Sequence, residues 1–147
     1  MNAPTAMTVL GPVAADELGV VLPHEHLLVD ARVYWSPPDD PELRAIAEAP
    51  VEMASLGWLR RNPYLVRDNA CLDDKDLCLR EVAEFKKLGG GTIVDVTLAD
   101  IGRDPALMVE VSQRSGLHII AGSGHYVSIA HPPSLEHEPV SEIARRI

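Results

Sequence analysis

No stretch of the sequence approaches the roughly 20 consecutive apolar residues that a membrane-spanning helix needs, and no basic segment followed by an apolar one stands at the N-terminus. Neither a membrane span nor a secretory leader is expected, and a cytoplasmic location is. Positive charge is also short: 13 Lys and Arg face 22 Asp and Glu, a formal net charge of −9. Nucleic acid and anionic membrane, which call for a basic patch, are therefore not expected partners. Cysteine is scarce, with Cys71 and Cys78 the only two. On one helix a seven-residue separation holds the Cα atoms about 10 Å apart, beyond the roughly 7 Å a disulfide spans. They form no Cys-x-x-Cys, so a structural zinc site built from cysteine is not expected, and two free buried thiols are.

What is present is an ordinary globular balance, 46% hydrophobic and 24% charged over 147 residues, enough for one domain with a real core. Thr8-Val9-Leu10 and Gly19 to Leu22, with Asp16 and Glu17 between them, read as a hairpin. Pro37, Pro38, Asp39, Asp40 and Pro41 mark a loop, and Glu42 to Ala49 a short helix. Asp73 or Asp74 can cap a helix whose apolar residues Cys78, Val82 and Phe85 share one face, and which Lys86, Lys87, Gly89 and Gly90 bring to an end. The β-branched run Thr92 to Thr97 predicts a strand. Asp104-Pro105 opens a helix that runs to Gly116, and His118 to Ala121 predicts another strand. Alternating helices and strands with short connections predict parallel βα units, whose working residues lie at the C-terminal ends of the strands. That singles out His24 and His26, Thr97 to Asp100, and Gly122 to Tyr126.

The tripeptide His24-Glu25-His26 carries the sharpest chemistry. Alternate strand residues project to the same side with Cα atoms roughly 6 to 7 Å apart, so both imidazoles can reach one metal ion of the zinc type. Taken alone, the pair reads more simply as two polar residues where a strand meets solvent. Several neighbours read as structural. Asp104 is a helix cap rather than an active-site partner of Arg103. Gly122-Ser123-Gly124 lacks the lysine of a phosphate loop and is a strand-end turn. His125, His131 and His137 read as solvated loop residues, and Glu25 points away from the histidines. Asp95, within a strand, needs a polar partner if buried.

Thr8-Val9-Leu10-Gly11-Pro12 ahead of Leu22-Pro23-His24-Glu25-His26-Leu27, then Thr92 to Thr97, Ile101-Gly102-Arg103-Asp104-Pro105 and His118 to Gly124, together resemble the phosphotriesterase-like branch of the amidohydrolase superfamily. The resemblance implies a TIM barrel with two divalent metal ions, zinc foremost, and makes His24 and His26 ligands of the more buried one. It implies further ligands on later strands: a carboxylated lysine, two histidines and an aspartate. It also implies hydrolysis of lactones, carboxylic esters or phosphotriesters by a metal-activated hydroxide, with Tyr126 contacting a small-molecule substrate, and a homodimer when intact. His125 departs from the tyrosine expected beside Tyr126.

Ser141 and Glu142 open a helix that meets no stop signal before Ile147, and a full barrel needs about 250 residues. Residues 1–147 are therefore expected to be the N-terminal part of one barrel domain, an α/β fold with the hairpin and the first three or so βα units, inactive on its own. Two alternatives stand beside this: a truncated or non-catalytic interaction module, and a metal-dependent deoxyribonuclease-like hydrolase. The latter also opens with His-x-His, but at the very start of its chain and after an aspartate.

Overall fold

A computed structural model describes residues 4–147. The first three residues of the expected 1–147 domain lie outside the described residues. In chain order the elements are β1 (Thr5–Thr8), β2 (Gly11–Ala14), β3 (Val20–Glu25), β4 (Val29–Asp30), α1 (Pro41–Glu48), α2 (Leu56–Leu59), β5 (Cys71–Leu72), α3 (Lys75–Lys87), β6 (Gly90–Asp95), α4 (Pro105–Ser115), β7 (His118–Ala121) and α5 (Val140–Arg146), joined by short 3-10 turns. None of the helices among the described residues is long and apolar enough to cross a membrane.

The chain divides into two units. The first takes the residues up to Leu28 together with Asp74–Ile147. Its sheet has the order β3-β6-β7 with both pairings parallel, as the alternation of strand and helix predicts. Asp74 caps α3 by accepting from Leu77 N at 2.8 Å, and Asp104 caps α4 by accepting from Leu107 N at 3.0 Å. Gly116, at φ +68°, ends α4 in the left-handed conformation that only glycine adopts without strain. The apolar faces of both helices meet β6 and β7 in one core around Val82, Ile93, Met108, Val111, Leu117 and Ile119.

Three expectations need correction. The hairpin pairs β1 with β2, Thr8 opposite Gly11, and not Thr8–Leu10 with Gly19–Leu22. Gly11 takes φ +118°, which lets the chain reverse over Val9 and Leu10, and Thr8 Oγ1 donates to Gly11 O at 2.7 Å to close the turn. The strand after Gly19 gives its hydrogen bonds to β6 instead. Strand β6 itself starts at Gly90, two residues before the expected Thr92, and stops at Asp95. Finally, Cys71 lies in β5, ahead of the helix that holds Cys78; both are free thiols, and of the two Cys78 is buried.

A bulge interrupts β3. Leu22 pairs with Ile93 and Glu25 with Asp95, so three steps along β3 match two along β6 and the extra residue falls at Pro23-His24. Proline has no N–H to give to a ladder, so the irregularity lies where the donor is missing.

The second unit, Val29–Asp73, pairs β4 with β5 antiparallel. Asp40 caps α1 by accepting from Glu42 N and Leu43 N, both at 2.9 Å. Trp35 Nε1 donates to Leu65 O at 3.1 Å, while the Arg67 guanidinium lies 5.7 Å from the Trp35 ring centre.

Candidate active site

The bulged end of β3 delivers His24 within the strand and His26 one residue beyond it. Their ring centres are 5.8 Å apart with the planes at 77°. Two imidazoles whose nitrogens sit about 2.0–2.1 Å from one zinc have ring centres about 5–6 Å apart, so the pair fits a shared divalent ion. His24 is exposed, and its side chain makes no hydrogen bond to any described residue. Among the described residues no third histidine, cysteine or carboxylate joins them. The donor set therefore fits part of a metal site, two ligands where a catalytic zinc takes three from protein.

The end of β6 holds the histidine segment in place. Asp95 is 1% exposed and accepts from Leu27 N at 3.1 Å through one oxygen and from Thr97 N at 2.7 Å through the other. The polar partners that a strand aspartate requires are thus backbone amides. Thr97, fully buried, brings Oγ1 to 2.9 Å from His26 Nδ1 and 3.1 Å from Leu28 O. Glu25 side chain is exposed, and its carbonyl accepts from Val96 N at 3.0 Å, continuing the parallel ladder.

The loops after β6 and β7 are joined by a different pair. His125, expected as a solvated loop residue, has a side chain only 17% exposed, and its Nδ1 lies 3.0 Å from Asp100, whose side chain is 4% exposed. Asp100 also accepts from Tyr126 N at 2.9 Å. Burial alone would raise the Asp100 carboxyl; the Tyr126 amide and the His125 imidazole outweigh it and hold the group below the usual range. Arg146 Nη2 lies 3.4 Å from His125 Nε2 and donates to Glu138 at 2.6 Å. His131 Nε2 lies 3.1 Å from Tyr126 O. Sequence reasoning missed the Asp100–His125 pair; the available signal was a carboxylate and a histidine following adjacent parallel strands. Arg103 and Asp104 do not pair: Arg103 donates to Gly122 O at 2.7 Å, and Asp104 caps α4 and meets Lys75 at 3.1 Å. Gly122 is strand-end turn chemistry, its N–H donating to Asp95 O at 2.7 Å.

The model of the phosphotriesterase family matches residues 4–144. The chain belongs to this family. Among its phosphotriesterase relatives is a Salmo salar protein named N-acetyltaurine hydrolase, 41% identical over 126 residues, covering 84% of this chain and 36% of that one. A solved structure described as a resiniferatoxin-binding protein from Rhodobacter sphaeroides is 39% identical with a TM-score of 0.90, over 96% of this chain and 39% of its own. A lactonase from Listeria monocytogenes is 25% identical with a TM-score of 0.56, over 91% of this chain and 33% of its own. The chain thus spans well under half the length of these phosphotriesterase-family proteins.

Proposed function

We propose that the chain is the N-terminal part of a metal-dependent hydrolase on a TIM barrel, which cleaves a small lactone, carboxylic ester or amide, with His24 and His26 as two of its metal ligands. The observation that carries this is the histidine pair at the C-terminal end of the first parallel strand, 5.8 Å between ring centres. A pair of divalent ions, zinc foremost, when bound supplies an acidified water and polarises the bond under attack. His24 and His26 hold and orient one ion, and the Asp95 bracket keeps His26 from swinging away. Tyr126 orients the substrate carbonyl from the loop after the third parallel strand. Lactonase and N-acetyltaurine hydrolase are names of proteins that act at a carbonyl carbon, which favours a carbonyl substrate over a phosphotriester.

Test this by replacing each histidine with alanine in the full-length protein and measuring bound metal by elemental analysis beside hydrolysis of a lactone and an N-acetylated amine. Loss of metal and of turnover in both variants is expected. Unchanged stoichiometry with undiminished hydrolysis overturns the proposal. The second reading, a non-catalytic module, draws on the presence of two candidate ligands where a catalytic site needs three. Family-like turnover by the full-length protein removes it.

A further inference from the structure

The Thr97 hydroxyl has two neighbours and one proton. Leu28 O, 3.1 Å away, can only accept, so the Thr97 proton is committed to it. Toward His26 the hydroxyl then offers a lone pair, at 2.9 Å from Nδ1. That nitrogen must carry the hydrogen, and Nε2 is left unprotonated with its lone pair available. We propose that Thr97 is a positioning residue that holds neutral His26 in the Nδ1–H tautomer and so presents Nε2 as the metal-binding atom.

The hydroxyl is well placed to enforce this choice. Thr97 is fully buried, its β-branched side chain has restricted χ1 freedom, and its own N–H is tied to Asp95 Oδ1 at 2.7 Å. Asp95 Oδ2 in turn holds Leu27 N at 3.1 Å. Three consecutive residues of the histidine segment are thus gripped at three atoms: the ring of His26, the N–H of Leu27 and the carbonyl of Leu28. A rotation of the Thr97 hydroxyl toward His26 would leave the Leu28 carbonyl facing a lone pair, so the tautomer and the backbone bond are set together. Partners of this kind around a metal-ligating histidine orient the ring, and losing one commonly costs 10–100-fold in metal affinity.

The inference deepens the proposed metal-binding role and rests on it, but its first readout needs no metal. Prepare the full-length protein metal-free with ring-15N histidine and raise the pH until its histidine signals stop moving. Assign the His26 signals by their loss in His26→Gln. The expected spectrum has a protonated Nδ1 and an unprotonated Nε2, retained in Thr97→Ser and lost to a mixture or to the other tautomer in Thr97→Val. Zinc affinity should fall about 10–100-fold in Thr97→Val and recover in Thr97→Ser. Thr92→Val is the control for general destabilisation, because Thr92 is a fully buried threonine of β6, five residues before Thr97, that donates to Leu18 O at 2.6 Å. It should leave the His26 tautomer and the zinc affinity unchanged. A wild-type spectrum with Nε2 protonated, an unaltered tautomer in Thr97→Val, or an equal loss of affinity in Thr92→Val each overturns the inference. Wild-type protein that takes up no zinc while keeping the Nδ1–H tautomer overturns the metal reading instead.

Discussion

Nδ1 of His125 lies 3.0 Å from an oxygen of Asp100, a contact that ties the loop leaving β7 to the loop leaving the adjacent strand β6. The same carboxylate accepts from Tyr126 N, so one buried group fixes two consecutive residues of the loop on which the proposed substrate contact sits. Removing it in Asp100→Ala leaves two donors without their acceptor, which should cost about 1–3 kcal/mol in denaturant unfolding. Hydrogen exchange at the Tyr126 amide should quicken at the same time. A variant with wild-type stability and an equally protected Tyr126 amide would show that the loop is held by other contacts.

The pH dependence of that anchor has a definite sign. The folded state holds Asp100 below its ordinary value, with His125, His131 and the Tyr126 amide all favouring the carboxylate against the effect of burial. The contribution is therefore fully present above the ordinary aspartate value of about 3.9 and is lost as pH falls through the lowered folded value. Stability of wild type minus that of Asp100→Ala should shrink as pH falls below about 4. A difference that stays constant or grows as pH falls through that acid range would refute the assignment.

How far the sequence could be read depends on the range of the interactions involved. Helices α3 and α4 were legible because their caps, Asp74 and Asp104, act within three residues, and Gly116 stops α4 one residue after its end. The parallel strand pattern followed from the order of such elements. The hairpin was misassigned because period-two patterning does not say which neighbour a strand pairs with, and Gly11 settled it through a backbone angle. In the site, the spacing of His24 and His26 is local and was read, whereas the bulge at Pro23 was not, since it exists only against the register of β6. That Asp95 would need a partner followed from its position. That the partners would be the N–H groups of Leu27 and Thr97 required the two strands side by side. His125 was misread for the same reason, its carboxylate lying 25 residues away.

Gly91 illustrates a contact of this long-range kind that can be tested directly. A Cβ there would stand 2.3 Å from Leu18 O, a backbone atom just ahead of β3 that cannot swing aside as a side chain would. Gly91→Ala should therefore push β3 from β6 and destabilise by about 1–3 kcal/mol, read from the urea midpoint. Gly57→Ala, in helix α2 with nothing within 4 Å of the added carbon, is the contrasting case and should be neutral or stabilising by about 0.4–1 kcal/mol. Equal effects at the two positions would contradict the close approach at Leu18.

Tyr126 offers the sharpest test of substrate chemistry. Its backbone is fixed by Asp100 and the residue is 37% exposed, and Tyr126→Phe keeps the ring while removing only the hydroxyl. If its hydroxyl donates to the carbonyl oxygen under attack, Tyr126→Phe in the full-length protein removes one hydrogen bond that strengthens as charge develops, and turnover should fall about 3- to 10-fold. Metal content should stay at the wild-type level, because neither His24 nor His26 is touched. The loss should appear in kcat more than in KM if the bond is made chiefly in the transition state. It should also be seen with both a lactone and an N-acetylated amine, since the two share the carbonyl. Unchanged turnover on both substrates would leave Tyr126 as a wall of the pocket and remove this chain's own support for a carbonyl substrate.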